Sequence, residues 1–329
     1  MLPEWQRENA RCCEDAMLRI LSKSGQLRSL AIAAVRPGRK LRASLAIQYT
    51  KWMGIDIPSI SHPVLMESLA KAEFLHSASC ILDDIIDGDT VRRGHPVFHV
   101  REGLPQALLT AQELIGAACA VEPSHPVMIS RRVQDALILS VREALRGEAC
   151  DSFPLHDTLE CIPLGLELEH TYLRKTTPGF EVAHQIVGIV CGFSNADIGR
   201  IASFGAALGA FYQYANDYHD WFSLHQSVRG GESESVLVSL CIPTIVALAS
   251  DESIGGLIGT HMQRRDFARL IEKLRGEGVE CLVRERIEAA RERVWRTLPL
   301  NSRPRDLQEL VSAIDSREFW GYKYSVGSP

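Results

Sequence analysis

The stretch PVLMESLAKAEFLHSASCILDDIID (63–87) decides the class of fold. Its apolar residues recur at intervals of three and four positions, which places them on one face of an α-helix. The same spacing continues in VQDALILSVREALRGEA (133–149) and in FARLIEKLRGEGVECLVRERIEAARERVW (267–295), where Gly276 and Gly278 predict a break. Alternating strand-like runs are few and hairpin dipeptides are absent, so the sequence predicts an all-α protein.

The composition is that of a large globular protein. The chain has 329 residues, of which 46% are hydrophobic, and a formal charge of −5. No long tract of Lys and Arg is present, which disfavours nucleic acid as a partner. The breaks at RPG (36–38), VEPSHP (121–126), TTPG (176–179) and LNSRP (300–304) are too short to link independent domains. We therefore predict that residues 1–329 form one helical domain.

Cysteine usage and apolar runs bear on the compartment of the protein. Nine cysteines without a CxxC spacing indicate neither a zinc site nor a disulfide framework. Most have apolar neighbours, which predicts reduced thiols in a cytoplasmic protein. The N-terminal residues 1–17 are charged and lack the apolar core of a signal peptide. No apolar run approaches the ~18 residues of a membrane-spanning helix, so we predict no membrane span.

Three aspartates, Asp83, Asp84 and Asp87, close the first helical stretch. Asp83 and Asp87 are four residues apart, so on a helix they share a face with Cβ atoms ~5–6 Å apart. Two carboxylates at that distance repel each other, and a divalent cation relieves the repulsion. Oxygen ligands shared with phosphate and water suit Mg²⁺. A solvated acidic helix end is the alternative, although acids at a helix C-terminus oppose its macrodipole.

A second acidic cluster, FYQYANDYHDWF (211–222), echoes the first. Asn216, Asp217 and Asp220 repeat the spacing, with Asn in the leading place, and they follow an apolar helical run. Two such clusters on separate helices could hold more than one Mg²⁺ across a cavity.

Basic residues form three further groups: Arg39, Lys40 and Arg42 near a predicted helix start, Arg92 and Arg93 after the first aspartates, and Arg174, Lys175 and Thr176 at a predicted helix end. A lone positive residue at a helix C-terminus is ordinary. Two acidic and three basic groups around a helical bundle, however, predict a site for a polyphosphate ligand.

With these motifs in this order, the chain resembles the trans-isoprenyl diphosphate synthases. HSASCILDDIIDGDTVRRGHPVFH (76–99) looks like that family's first aspartate-rich motif with its RRG tail, and the resemblance extends over residues 36–245. It implies a bundle of roughly a dozen helices around a central apolar cavity, usually as a homodimer. It also implies a reaction that joins an allylic prenyl diphosphate to isopentenyl diphosphate with the help of Mg²⁺.

The resemblance further implies roles for individual residues. Metal binding would fall to Asp83 and Asp87, with Asp84 supporting them, and to Asn216, Asp217 and Asp220. The diphosphate of isopentenyl diphosphate would be held by Arg39, Arg42, His76 and Arg93. The allylic diphosphate and the forming carbocation would be met by Arg92, Lys175, Thr176 and Gln213.

The chain departs from the family's pattern in several places. Arg39 stands where the family usually has Lys, and the Lys expected just after the second motif has no clear counterpart unless Arg229 substitutes. The second motif begins with Asn216, and Ser239 stands at a position that is usually Lys. The half of the site for the allylic diphosphate is therefore weakened in charge, while the other half looks intact.

In that family bulky aromatic residues four and five positions before the first aspartate stop chain growth early. The resemblance therefore implies that the small Ala78 and Ser79 leave room for a product of about C20, although tight helix packing also requires small residues.

The retained residues and the departures together leave three hypotheses open. The first is a prenyltransferase that elongates an allylic diphosphate with isopentenyl diphosphate. The second is a terpene synthase on the same scaffold, which ionises and cyclises a prenyl diphosphate, or an enzyme that transfers the prenyl group to another acceptor. The third is a catalytically degenerate subunit that serves an active partner.

Overall fold

The computed structural model describes residues 3–55, 61–92, 95–121, 125–223, 235–299 and 303–321. These ranges are almost entirely helical, which confirms the all-α prediction. The α-helices are α1 (Glu4–Leu21), α2 (Arg28–Val35), α3 (Leu41–Trp52), α4 (Ser61–Ile86), α5 (Phe98–Glu102), α6 (Leu104–Cys119), α7 (Val127–Ser152), α8 (Leu155–Cys161), α9 (Leu166–Leu173), α10 (Thr177–Val190), α11 (Asn195–Tyr218), α12 (Ile242–Ser250), α13 (Arg264–Gly276), α14 (Val279–Thr297), α15 (Arg305–Ile314) and α16 (Arg317–Gly321).

Short elements of other kinds connect these helices. Two turns of 3₁₀-helix span Gly25–Leu27 and Glu252–Leu257, and a π-helical turn, His219–Ser223, follows α11. Two antiparallel pairs of strands join β1 (Val91–Arg92) to β2 (His95–Pro96) and β3 (Ser235–Leu237) to β4 (His261–Gln263).

The pair β1–β2 is a short antiparallel pairing that the sequence pattern did not predict. In it, Val91 is paired with Pro96 and Arg92 with His95. Arg93 itself lies outside the described residues.

The long predicted helices form where their apolar spacing placed them. α4 ends at Ile86, and Gly88 just beyond it has a φ of +66°, the left-handed conformation that commonly closes a helix. The predicted break between α13 and α14 is present, because α13 ends at Gly276 and Gly278 has a φ of +77°.

Helix α10 lies at the centre of the bundle and positions the candidate site. It contacts α3, α4, α7 and α11, and most of its side chains are buried. α11 runs close along it, since a Cβ on Gly205 would lie 2.6 Å from the backbone oxygen of Phe180. Buried apolar residues from α1–α4, α6, α7 and α10 form one core cluster, and those from α9 and α11–α16 dominate a second. No described helix has the length and apolar character needed to cross a membrane.

Candidate active site

Charged and polar side chains converge where α4, α7 and α11 end and α10 begins. Helix C-termini carry partial negative charge, so acids gathered there create a strongly negative region that favours cations. The side chains are Asp83 and Asp84 of α4, Arg92 of β1, Glu148 and Asp151 of α7, Lys175 and Thr176 between α9 and α10, Gln213, Asn216 and Asp217 of α11, and Asp220 of the π-helical turn.

The first aspartate-rich motif divides into an inner and an outer part. Asp84 is only 4% exposed and accepts a hydrogen bond from Nε of Arg92 at 2.5 Å. Burial raises the pKa of Asp84, and the Arg92 guanidinium opposes that shift. Arg92 also donates from Nη2 to Asp83 at 3.0 Å. Asp83 and Asp87 are half-buried, so the outer carboxylates are the ones a cation can reach.

These residues fit magnesium that is shared with a phosphate better than magnesium held by protein alone. The described residues contain no group of three or more His, Cys, Asp or Glu side chains that could hold a metal ion. Mg²⁺ usually keeps several waters and is bound through one or two carboxylates plus substrate phosphates. Asp83 and Asp87, beside the guanidinium of Arg92, offer that kind of incomplete site.

Asp217 of the second motif is an anchor inside the bundle. Its carboxylate accepts hydrogen bonds from Nε2 of Gln213 at 2.7 Å, from the hydroxyl of Tyr172 at 3.0 Å and from the backbone N–H of Ile242 at 3.0 Å. Burial raises its pKa, and the N–H of Ile242 works against that shift. Because these donors come from α9, α11 and α12, Asp217 ties three elements together.

Asn216, in the leading place of the second motif, is a hydrogen-bond donor to both aspartates of that motif. Its amide donates to Oδ2 of Asp220 at 3.0 Å and to Oδ1 of Asp217 at 3.2 Å. An aspartate in this place would repel both carboxylates, whereas the amide satisfies them. Asp220 lies in the π-helical turn, a type of distortion that is frequent at functional sites. Hydrogen bonds from Asn216 therefore reduce the repulsion between the Asp217 and Asp220 carboxylates of the second motif.

Lys175 and Thr176 lie between the two motifs. Lys175 donates from Nζ to Oδ2 of Asp151, and Thr176 donates from Oγ1 to Oε1 of Gln213. Gln213 is in turn fixed by Asp217, so Thr176 and Gln213 belong to one hydrogen-bonded chain. The structure thus brings Thr176 and Gln213 into contact, with Lys175 next to Thr176 in the chain.

The sequence analysis missed Glu148 and Asp151. Glu148 lies within hydrogen-bonding reach of Asp83 and accepts from the hydroxyl of Ser152 at 3.1 Å. Burial raises the pKa of Glu148 to about 7; Lys175 opposes the shift, and Asp83 and Asp151 add to it. The available signal was GEACD (147–151), a glycine and two acids at the end of an otherwise periodic helix.

The residues predicted to hold isopentenyl diphosphate have three different sets of neighbours. Arg39 lies against Phe319 of α16, with its guanidinium carbon 3.8 Å from the ring centre. Arg42 lies over the ring of Phe180 at 4.8 Å. His76 contacts Cys80 in its own helix, with Nδ1 and Sγ 3.7 Å apart.

Comparison with known proteins decides the family. The sequence profile described as Polyprenyl synthetase matches residues 25–266. The chain belongs to the polyprenyl synthetase family. A short chain isoprenyl diphosphate synthase from Methanothermobacter thermautotrophicus is 29% identical over 257 residues, which cover 76% of this chain and 72% of that protein. Isoprenyl diphosphate synthases are prenyltransferases, and the chain is an enzyme of that class.

Two further comparisons bear on the fold and the family. A polyprenyl synthase from Caulobacter crescentus, crystallised with calcium and isoprenyl diphosphate, shares the fold with a TM-score of 0.73 at 20% identity, over 94% of this chain and 95% of that one. A geranylgeranyl diphosphate synthase from Sulfolobus acidocaldarius is 30% identical over 159 residues, and that match spans just under half of its length, 45%, and 45% of this chain.

Proposed function

We propose that this polyprenyl synthetase condenses an allylic prenyl diphosphate with isopentenyl diphosphate in a magnesium-dependent reaction. The observation that carries the proposal is the junction of α4, α7, α10 and α11. There Arg92 holds Asp83 and Asp84, and Lys175 and the Thr176–Gln213 pair lie at the start of α10 and on α11. Positively charged side chains that can bind phosphate thus lie close to carboxylates that can bind a metal ion. A metal-bound diphosphate requires both kinds of group at one place.

The residues of the first motif and Lys175 act on the allylic diphosphate. Magnesium bound there supplies positive charge that stabilises the diphosphate as its bond to the prenyl carbon breaks. Asp83 and Asp87 would bind the magnesium ion. Arg92 and Lys175 would donate hydrogen bonds to the phosphate oxygens. Groups fixed in advance cost little reorganisation during the reaction, and Arg92 is fixed by both aspartates.

Arg39, Arg42, His76 and Arg93 hold the diphosphate of isopentenyl diphosphate, whose double bond attacks the allylic carbocation. A new carbon–carbon bond forms and a proton leaves the adjacent carbon. Thr176 and Gln213 face the carbocation as a hydrogen-bonded pair whose orientation Asp217 maintains. Their dipoles stabilise positive charge without offering a charged nucleophile.

Product length is the finer part of this proposal. Ala78 is 1% exposed and lies within the core, whereas Ser79 is exposed and donates from its hydroxyl to the backbone oxygen of His76. Of the two small residues, only Ala78 faces the interior. In a close-packed bundle, therefore, only the small size of Ala78 favours a cavity long enough for a product of about C20.

We further infer a homodimer in the cytoplasm, formed through α6 and α7. Large apolar side chains stand exposed along these helices, among them Leu109 at 52%, Ile138 at 48% and Leu139 at 57%. Contiguous exposed apolar surface marks interaction sites. Sedimentation should show a dimer, and Leu139→Lys should shift it toward monomer; a wild-type monomer at micromolar concentration would contradict this inference.

The test of function is an incubation with Mg²⁺ and geranyl, farnesyl or geranylgeranyl diphosphate, each with and without isopentenyl diphosphate. Released pyrophosphate and organic products are both measured. Longer prenyl diphosphates formed only with isopentenyl diphosphate support elongation. Hydrocarbon or alcohol formed without it would instead identify a terpene synthase. Release of pyrophosphate in no tube would favour a subunit that needs a partner.

A matched pair of variants tests the role of the first motif. Asp83→Ala should abolish turnover while the thermal unfolding midpoint stays close to that of the parent, because Asp83 is half-buried. Asp135→Ala removes an exposed acid from α7 and should leave turnover unchanged. Full activity of Asp83→Ala would refute the metal-binding role of the motif.

A further inference from the structure

Asp151 is a buried carboxylate paired with a lysine. Its side chain is 3% exposed, and Oδ2 accepts from Nζ of Lys175. Within the described ranges, Oδ1 is buried and has no hydrogen-bond partner. A buried charge is tolerated only when it is paired, so the ammonium of Lys175 is what makes an ionised Asp151 acceptable here.

The backbone brings the two residues together at close range. A Cβ on Gly147, one helical turn before Asp151, would lie 2.6 Å from the carbonyl carbon of Arg174 and closer still to the backbone nitrogen of Lys175. Helix α7 therefore touches the turn between α9 and α10 without an intervening side chain. The backbone N–H of Lys175 donates to the oxygen of Tyr172 at 3.1 Å, which closes that turn. Both ends of the ion pair are thus held by rigid backbone.

The position of Lys175 matters for both acidic motifs. Lys175 is bound to Asp151 of α7, and α7 packs against α4, which carries the first motif. The next residue, Thr176, donates to Gln213, whose amide donates to Asp217 of the second motif. Lys175 therefore lies between the helices that carry the two motifs. Lysine has a flexible four-carbon stem, and an ammonium left unrestrained would lose entropy on binding a phosphate.

We propose that Asp151 is a positioning residue that holds the Lys175 ammonium between the two acidic motifs, ready to bind the diphosphate of the allylic substrate. This proposal rests on the proposed function, in which Lys175 binds that diphosphate. Asp151 makes no contact with substrate itself and acts through Lys175.

The test is a double-mutant cycle on binding. Affinity for inorganic pyrophosphate in the presence of Mg²⁺ is measured by calorimetry for the full chain and for Asp151→Asn, Lys175→Met and the double variant. We expect each single variant to bind about tenfold more weakly, which is about 1.4 kcal/mol. The double variant should bind no more weakly than Lys175→Met alone. Asp135→Asn, an exposed change on the same helix, should bind like the parent.

Two outcomes would overturn the proposal. Either Asp151→Asn binds pyrophosphate as the parent does, or the losses from the two single variants multiply in the double variant. Failure of the proposed function looks different, because then the parent itself would not bind magnesium pyrophosphate or Lys175→Met would not weaken binding.

A stability measurement keeps the proposal open to refutation if Asp151→Asn alone does not fold. Lys175→Met leaves the buried Asp151 carboxylate without its cation, so adding Asp151→Asn to it should raise the unfolding midpoint. A lower midpoint for the double variant than for Lys175→Met would show that Asp151 serves other partners, and would overturn the positioning role.

Discussion

Arg39 donates a hydrogen bond from Nη2 to the backbone oxygen of Phe319 at 2.7 Å, and its guanidinium carbon lies 3.8 Å from the centre of the Phe319 ring. Phe319 is 6% exposed and its neighbour Trp320 is fully buried. A residue predicted to bind isopentenyl diphosphate is therefore in contact with α16, near the opposite end of the described chain. Tyr212 of α11 lies against both aromatic rings, with centroids 6.4 and 5.0 Å away.

Phe319→Ala tests how much this contact stabilises the protein. Removing a buried phenylalanine ring costs about 3–5 kcal/mol, and here it also removes the stacking of Arg39. The free energy of unfolding in urea should fall by that amount. Phe153→Ala is the matched control, because Phe153 is 62% exposed. Equal effects from the two substitutions would contradict the prediction.

Asn216→Asp tests the charge balance of the second motif. The substitution removes amide donors to Asp217 and Asp220 and places three carboxylates together. Without divalent cations, stability should fall by about 1–3 kcal/mol, because the two carboxylates each lose a donor and gain a neighbouring negative charge. Added Mg²⁺ should restore more of the unfolding midpoint in the variant than it adds to the parent.

Gln106→Glu is the control for that experiment, since it adds the same charge to an exposed position of α6. Its response to Mg²⁺ should match that of the parent. An unfolding midpoint of Asn216→Asp that did not change between chelator and Mg²⁺ would show that the second motif does not face a cation.

The helices and the outer carboxylates were predictable from local spacing, because periods of three and four residues report which side chains share a face. The partners of the inner aspartates were not predictable. Asp217 was placed among the metal ligands and Asp84 in support of them, and the structure adds that both are buried against donors from β1, α9 and α12. Those donors are distant in sequence, so local spacing carries no information about them.

The contribution of α7 was hidden for a similar reason. Glu148 and Asp151 close an amphipathic helix, where acids are usually solvated. Only the close approach of Gly147 to the turn before α10 brings them to Lys175. A glycine costs about 1 kcal/mol relative to alanine inside a helix, so Gly147 beside two acids was the local sign that something packs there.

Gly147→Ala should be strongly destabilising. Its Cβ would overlap the nitrogen of Lys175 and lie 2.6 Å from the carbonyl carbon of Arg174, and both atoms are backbone that cannot rotate away. α7 must then move away from the turn, which separates Asp151 from Lys175. We expect turnover to fall at least tenfold and the unfolding midpoint to drop, as measured by product formation and thermal unfolding.

Gly199→Ala is the control for Gly147→Ala. It makes the same chemical change but is expected to stabilise the protein instead of destabilising it. Gly199 lies in α11, and a Cβ added there would meet no other atom within 4 Å, so alanine should stabilise the helix by about 0.5–1 kcal/mol. If both substitutions proved equally harmless, the contact between α7 and the turn before α10 would be looser than described.

His184 predicts a dependence of stability on pH that is separate from catalysis. Its ring is fully buried between Tyr49 and Phe204, and Nδ1 lies 2.8 Å from the backbone oxygen of Phe180. Burial lowers its pKa from 6.5 to about 4. In the unfolded chain the imidazole takes up a proton near pH 6.5, whereas the folded protein does so only near pH 4. Its contribution to stability is therefore complete above pH 6.5 and is lost progressively as the pH falls from there to about 4.

Urea unfolding of the parent and of His184→Leu at pH 7 and pH 5 measures this contribution. Other groups titrate in the same window, so the relevant quantity is the difference between the two proteins. The parent should lose roughly 2 kcal/mol more than the variant between those pH values, because each unit of pKa separation corresponds to about 1.4 kcal/mol. Parallel losses in the two proteins would mean that the ring is protonated equally in the folded and unfolded states, and that its place in the aromatic core does not exclude the proton.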